Sequence, residues 1–467
     1  MLRGSEGSVA SGFVVPKRED FVGVARLAAP VVTVQVGLML MGVVDTMVVG
    51  RVSATALAAV ALGNLYVMTT VSFAFGMLLA VDPLVSQAIG ASDSVGVRRA
   101  VQRGLILAVL LTVPVGLALS PGESLFRLLH QSEEMIPLAA AYARLCIPGV
   151  LPYLGFFVLR QTLQAMERMR PIVVTIVVAN VFNLVADVIL VYGWGPIPAL
   201  GPIGSAWATT MGRVLLMVLL VALAWPKIRD LVRPLDRAAL RFAPLRRMVG
   251  LGLPIAVQVQ LEFAAFAVIA LLMGGMGTLQ MAAHQVTINL ASLTFMVPLG
   301  VSIASAVRVG HAIGAGDHPA VRRAASAALI CGAGFMTCMA AVLISFPGLL
   351  ARAYTDDLDV VALAALLIPI AGFFQIVDGI QVVSAGVLRG AADTRAPMVI
   401  NILGFWCIGF PVSLWLGFGL DLGPQGLWWG LVAGLGVVAA FLLLRVRWRI
   451  AGDVARVAVD DPGGSPT

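Results

Sequence analysis

Long apolar runs, broken by short polar interruptions, fill this chain from end to end. A helix that crosses the hydrocarbon core of a bilayer needs about 20 mostly apolar residues. Stretches meeting that length run roughly 27–50, 55–81, 101–121, 136–158, 171–193 and 203–225, then, after a polar gap, 248–273, 280–307, 324–350, 360–388, 397–418 and 424–445. The pattern predicts an all-α integral membrane protein with twelve transmembrane helices.

The placement of basic residues tests that map. With the N-terminus inside, inner segments hold Arg98, Arg99 and Arg103, then Arg160, Arg168 and Arg170. The central gap holds Lys227, Arg229, Arg233, Arg237, Arg241, Arg246 and Arg247, and later inner ends hold Arg308, Arg322, Arg323, Arg389, Arg395, Arg445, Arg447 and Arg449. Outer ends carry only Arg51, Arg127, Arg144 and Arg352. This asymmetry fits both termini in the cytoplasm, an even number of spans and location in the cytoplasmic (inner) membrane. It also accounts for the net charge of +7 without nucleic acid. The expected organisation is a cytoplasmic tail at 1–20, a first lobe at 21–225, a cytoplasmic linker at 226–247, a second lobe at 248–447 and a tail at 448–467.

Composition agrees. Hydrophobic residues make up 60% of the 467 and charged residues 12%, with a mean hydropathy of +0.98. So few charges could not cover a water-facing surface of this size. Cys146, Cys331, Cys338 and Cys407 all lie in apolar runs with no CxxC pair, which favours packing over metal or redox chemistry. The first 20 residues are polar and do not read as a cleavable signal peptide.

The halves resemble each other at an offset of 224. Pro30 pairs with Pro254 and Gly76 with Gly300; Gln-Ala-Ile-Gly-Ala at 87–91 meets His-Ala-Ile-Gly-Ala at 311–315; Val97-Arg98-Arg99-Ala100 meets Val321-Arg322-Arg323-Ala324. Each repeat holds an even number of spans, so both enter the membrane in the same sense. Two six-helix lobes related by a pseudo-two-fold along the membrane normal are therefore expected, with substrate handled between them.

Four acids interrupt the apolar runs: Asp45, Asp187, Glu262 and Asp378. A carboxylate near the bilayer centre costs about 2.5–3.5 kcal/mol on insertion scales, so such acids point to ion or substrate pathways. Asp45 and Asp187 lie about 19 and 16 residues from their inner ends and could share a level; Glu262 and Asp378 lie about 14 and 11 residues from theirs. One carboxylate pair per half is plausible, with a proton or cation shared within each. The competing reading is structural, with each acid bonded to a neighbour; Arg213, midway along the sixth span, is the candidate partner of Asp187. Polar neighbours that could add ligands, or simply join helices, are Asn180, Asn183, Thr209, Gln258, His284, Gln285, Thr287 and Asn289. No GxxxxGK[ST], HExxH or GxSxG motif is present, and Asp-Asp-Leu-Asp at 356–359 has no second copy, so no enzyme is indicated.

Several segments carry a family resemblance. Val44-Asp45-Thr46 with Gly50-Arg51-Val52-Ser53-Ala54 and Ala58–Gly63, Gly252-Leu253-Pro254 with Glu262, Ala282-Ala283-His284-Gln285, Tyr354-Thr355-Asp356-Asp357, and Asp378–Val383 with Leu388-Arg389-Gly390 together resemble the signatures of the multidrug and toxic compound extrusion (MATE) transporters. The resemblance runs from about residue 20 to 447. It implies twelve helices in two lobes, alternating access, and export of organic cations in exchange for Na⁺ or H⁺. By matched position, Asp45, Glu262 and Asp378 resemble the acids of the NorM-type branch, whereas Asn183, Asp187 and Thr209 resemble the N-lobe polar cluster of the DinF-type branch. Phe374 stands where NorM-type members often carry a tyrosine. Ion coupling is thus expected at Asp45, Asp187, Asn183, Thr209, Glu262 and Asp378, and substrate contacts at Gln258, His284, Gln285, Asp356, Asp357 and Phe374. No cofactor is implied, and no metal beyond a Na⁺ at Glu262 and Asp378 or at Asp45 and Asp187. A monomer is expected. The rival functions are a lipid-linked oligosaccharide flippase, which should show basic rather than acidic intramembrane charge, and a non-transporting membrane enzyme or receptor.

Overall fold

A computed structural model describes residues 13–457; the outermost parts of both expected tails, 1–12 and 458–467, lie outside the described residues. The described chain is helical, with one isolated bridge, Trp194 to Ile197. Among the described residues, twelve helices are long and apolar enough to cross a membrane: α1 Arg18–Gly50, α2 Thr55–Gly90, α3 Ser94–Leu119, α4 Ile136–Ala165, α5 Met169–Tyr192, α6 Pro202–Val232, α7 Phe242–Met276, α8 Thr278–Gly314, α9 His318–Ser345, α10 Leu358–Gly390, α11 Arg395–Gly419 and α12 Gly423–Ala451. Large apolar side chains recur at helical spacing on outer faces and stay exposed, as Val109, Leu110, Val113 and Leu117 do on α3, which suits lipid rather than water.

Local chemistry sets the ends. The Gly96 N–H donates to Asp93 at 2.8 Å and starts α3. The same cap recurs 224 residues on, where the Ala320 N–H donates to Asp317 at 2.9 Å and starts α9. Several helices outrun their apolar segments: α1 begins at Arg18, α6 continues to Val232, α7 begins at Phe242 and α8 runs to Gly314. Charged side chains stop a hydropathy run but not the backbone ladder. α9, by contrast, ends at Ser345, short of the 350 expected from hydropathy. Pro347 cannot donate to the ladder and opens a separate short helix, Pro347–Arg352.

The chain packs into two compact units. The described residues of one are Thr33–Val85 and Asp93–Gln260. Here α2 and the first part of α7 meet backbone to backbone: a Cβ on Gly76 would lie 2.4 Å from Ala256 Cα, and one on Gly252 2.2 Å from the Met77 carbonyl oxygen. α3 also holds the segment between α6 and α7. Arg99 donates to Asp236 at 2.8 Å with Arg98 alongside at 3.5 Å. Gln102 donates to the carbonyls of Leu231 and Pro234 and accepts from the Asp236 N–H. Arg103 donates to the Ala238 carbonyl. The two guanidinium groups and the Ala238 N–H hold the Asp236 carboxyl down at about 2.

The other unit comprises, among described residues, the chain through Val32, Ser86–Ser92, and everything from Leu261. It repeats the same devices. A Cβ on Gly300, the counterpart of Gly76, would lie 2.5 Å from the Val32 side chain and 3.2 Å from the Ala28 carbonyl oxygen. Arg322 donates to the carbonyls of Ile450 and Ala451, closing the end of α12. α2 and α8 cross here through the duplicated Ala-Ile-Gly-Ala motif: a Cβ on Gly90 would lie 2.1 Å from the His311 carbonyl oxygen, and one on Gly314 2.0 Å from that of Gln87. His311 is Gln87 displaced by 224, so the crossing is self-complementary. α11 contains π-helical turns; its Gly409 meets Gly434 of α12, where a Cβ on Gly434 would lie 2.6 Å from Gly409 Cα.

Candidate functional site

The acids fall into two clusters, one in each unit. In the unit containing Thr33–Val85, Asp45 comes from α1, Tyr142 from α4, Asp187 from α5, and Ser205 and Thr209 from α6. Helical spacing puts Asn183 one turn before Asp187 and Ser205 one turn before Thr209. The Thr209 hydroxyl donates to Asp45 Oδ2 at 3.1 Å. The carboxyl groups of Asp45 and Asp187 are neighbours, with the Ser205 hydroxyl beside Asp187. Tyr142 reaches Thr209 and lies near Asp45, Cys146 and Arg213.

Asp187 is fully buried, and neither of its oxygens has a hydrogen-bond donor at bonding geometry; the same holds for Asp45 Oδ1 and for both amide atoms of the buried Asn183. Two adjacent carboxylates in a medium this dry repel strongly. Asp45 is only partly buried, and a proton or a cation between the two acids would relieve that repulsion.

Arg213 is not the partner that the sequence suggests for Asp187. Its guanidinium lies over the Tyr153 ring, 4.9 Å from the centroid, and its two terminal nitrogens have no hydrogen-bond partner. The aromatic face supplies the cation with a counter-surface and leaves Asp187 uncompensated. The Asn180 amide donates to the Ile176 carbonyl at 2.9 Å, within its own helix.

In the unit that begins again at Leu261, Glu262 of α7 faces Gln381 of α10, and Asp378, one turn earlier on α10, lies near Glu262. Asp378 is buried, and Glu262 is partly exposed over its whole side chain. Around them stands an aromatic wall. Phe374 meets Phe266 at 6.0 Å and Trp428 at 5.8 Å between centroids, and Phe266 meets Phe405 at 6.3 Å. His284 joins this wall through Trp428, at 5.7 Å, rather than joining the carboxylates.

The remaining sequence candidates are dispersed. Gln285 is exposed and donates to Asn289 at 3.2 Å. Gln258 lies one turn before Glu262 on α7 but packs within the other compact unit. Asp356 is exposed, and Asp357 caps α10, accepting from the N–H groups of Asp359 and Val360. That cap stands about 31 Å along the helix from Asp378. Four residues complete the clusters that the sequence reading did not assign to a site: Tyr142, Ser205, Trp428, and Gln381, which it met only as part of the Asp378–Val383 motif. Each is an uncharged side chain whose residue type does not mark it in the sequence, and only its neighbours in space distinguish it. Among the described residues, no three His, Cys, Asp or Glu side chains gather as metal ligands. A bound cation would draw on hydroxyl and amide oxygens beside the carboxylates.

Comparison with known proteins bears on the family and the fold. A profile of the family described as MatE matches residues 30–189 and again 254–415, one match per repeat. The chain is 37% identical over 441 residues to the multidrug resistance protein NorM of Burkholderia vietnamiensis, covering 93% of this chain and 95% of that one. It is 33% identical over 430 residues to the multidrug resistance protein MdtK of Edwardsiella ictaluri, covering 90% and 94%. Among solved structures, the eukaryotic MATE transporter AtDTX14 superposes with a TM-score of 0.84 at 22% identity, over 92% of this chain and 99% of that one. A MOP superfamily transporter from Pyrococcus furiosus gives 0.84 at 20% identity, over 96% and 99%.

Proposed function

This chain belongs to the MATE family of multidrug efflux transporters, and we propose that it exports organic cations by antiport, each outward step coupled to entry of Na⁺ or H⁺ at its buried carboxylates. The observation that carries this reading is the Asp45–Asp187 pair: two neighbouring acids, with Asp187 fully buried and its oxygens unpartnered. A positive charge arriving there relieves their repulsion and changes the free energy of the conformation that holds it. Inward movement of one charge gains about 2.3 kcal/mol per 100 mV of membrane potential, and export of a monovalent cation costs the same, so a one-for-one exchange is electroneutral and draws on the concentration gradient of the entering ion.

The second cluster suits the exported cation. Glu262 and Asp378 supply negative charge, and the partly exposed Phe266, backed by the buried Phe374, Phe405 and Trp428, supplies apolar and cation–π surface. A lipophilic cation satisfies both. The two repeats thus share architecture but differ in chemistry: position 269, the counterpart of Asp45, is Ile269, and Leu38 stands opposite Glu262. Coupling ion and drug accordingly use different lobes. Asp187 and Asp45 with Thr209 and Asn183 hold the ion; Gln381 is added to Glu262 and Asp378 on the drug side. The protein spans the cytoplasmic membrane with both termini inside and works as a monomer.

The flippase reading is less well supported: Arg160 and Arg213 are buried, but both clusters centre on acids. The test is transport by purified protein in vesicles. Asp187→Asn is expected to abolish the response to an imposed ion gradient while leaving drug binding within a few-fold of wild type. Glu262→Gln is expected to weaken drug binding itself. Equal loss of drug binding in both variants would overturn the division of roles.

A further inference from the structure

The stretch between α6 and α7 is more ordered, and more mixed in chemistry, than a solvated basic linker needs to be. Bonds from Arg99, Gln102 and Arg103 fix its backbone from Leu231 to Ala238. Outward it alternates charge with large apolar groups: Arg233, Leu235, Arg237, Leu240, Arg241 and Phe242. Leu235, Leu240 and Phe242 are 55%, 57% and 75% exposed, and the three arginines are exposed as well. Both nearby acids are already engaged, Asp230 with Arg229 at 3.3 Å and Asp236 with Arg98 and Arg99. Among the described residues, Arg233, Arg237 and Arg241 make no ion pair; the Arg233 guanidinium lies only over the Trp225 ring, at 5.9 Å.

We propose that residues 233–242 form a preorganised docking surface for anionic phospholipid headgroups, with the guanidinium groups of Arg233, Arg237 and Arg241 on phosphates and Leu235, Leu240 and Phe242 in the upper acyl region. The placement supports it: α6 ends at Val232 and α7 begins at Phe242, so the segment joins two spanning helices a turn or two beyond the apolar runs of both, on the side where they leave the hydrocarbon. A bias of positive charge toward the cytoplasm explains arginines alone. It does not explain three exposed bulky apolar groups set between them, nor a backbone held rigid by side chains of α3. An interfacial segment has this composition, and the planar guanidinium donates two parallel bonds to phosphate. A nucleic acid would meet the charges but leave Leu240 and Phe242 in water.

Full-length protein in detergent, titrated with phosphatidylglycerol and separately with phosphatidylcholine, tests this by native mass spectrometry. Each arginine near an anionic surface is worth about fivefold in affinity, so Arg233→Gln/Arg237→Gln/Arg241→Gln is expected to lose on the order of a hundredfold for phosphatidylglycerol. Phosphatidylcholine binding should not change. Phe242→Ser should weaken phosphatidylglycerol binding without affecting soluble glycerol phosphate, which separates a lipid site from a phosphate site. Arg51→Gln/Arg352→Gln, two exposed arginines elsewhere, is the control. Unchanged phosphatidylglycerol binding in the triple variant, equal loss in the control, or equal competition by glycerol phosphate or an RNA oligonucleotide would overturn the proposal. The readout does not depend on transport, so it stands or falls apart from the antiport reading.

Discussion

Consider Gly90→Ala and Gly314→Ala at the crossing of α2 and α8. A Cβ on Gly90 would sit 2.1 Å from the His311 carbonyl oxygen and 2.8 Å from both His311 Cα and its carbonyl carbon; one on Gly314 would sit 2.0 Å from the Gln87 carbonyl oxygen. Optimal contact between such atoms is about 3.5 Å, so either alanine must push the helices apart by roughly 1.4 Å at this point. The obstacle is backbone, which cannot swing away as a flexible side chain can. Overpacking of this kind costs about 1–3 kcal/mol. Because the two glycines share one crossing, separation forced by the first alanine makes room for the second, and the double variant should cost clearly less than the sum. Gly436→Ala on α12, with no atom within 4 Å of the new Cβ, is the control. It should be neutral or stabilise by up to about 1 kcal/mol, as glycine-to-alanine changes inside helices do. The assay is the heat-denaturation midpoint of purified protein, read as the monodisperse fraction by fluorescence-detected size exclusion. A midpoint for Gly90→Ala equal to that of Gly436→Ala, or strict additivity in the double variant, would refute the reasoning.

Further outcomes follow from the same geometry. Asp187→Asn should match or exceed wild type in thermal midpoint, since it removes one of two repelling carboxylates, and a clear destabilisation would show that the pair is structural. Trp428→Ala should cost about 3–5 kcal/mol, as loss of a fully buried aromatic does, whereas Trp428→Phe should keep most of that stability; unfolding midpoints distinguish the two. The low Asp236 value predicts a pH window: its unfolded carboxyl titrates near 3.9, so its contribution is complete above about pH 4 and fades as the pH falls toward 2. Asp236→Asn should therefore lower the midpoint at pH 7 and flatten the decline between pH 4 and 2, and parallel curves for variant and wild type would contradict this.

Much of this fold is legible in the chain because its two halves reuse the same local devices. Asp93 and Asp317 cap equivalent helices, Gly76 and Gly300 admit equivalent close approaches, and Gly90 and Gly314 meet each other. Helix ends are less legible. α6 and α7 run into the basic stretch because a peptide ladder continues past the point where side chains become charged. The proximity of Asp45 and Asp187 follows from depth counting along two helices, since both acids lie at a similar height. Tyr142 and Ser205 do not follow, because a lone hydroxyl on an apolar helix reads the same whether it faces lipid, a neighbour or a carboxylate. Arg213 shows why partner choice in particular resists pattern reading. A buried guanidinium accepts either a carboxylate or an aromatic face, and only the packing of α4 against α6 selects Tyr153.

The central claim is that efflux of an organic cation is driven by an ion entering at buried acids. The most direct measurement is extrusion of a fluorescent lipophilic cation from vesicles containing the purified protein, with Na⁺ and pH gradients imposed separately. Extrusion that follows one of these gradients, stops when the matching ionophore collapses it, and disappears in Asp187→Asn is the predicted result. Extrusion by the wild-type protein that is indifferent to both gradients would contradict it.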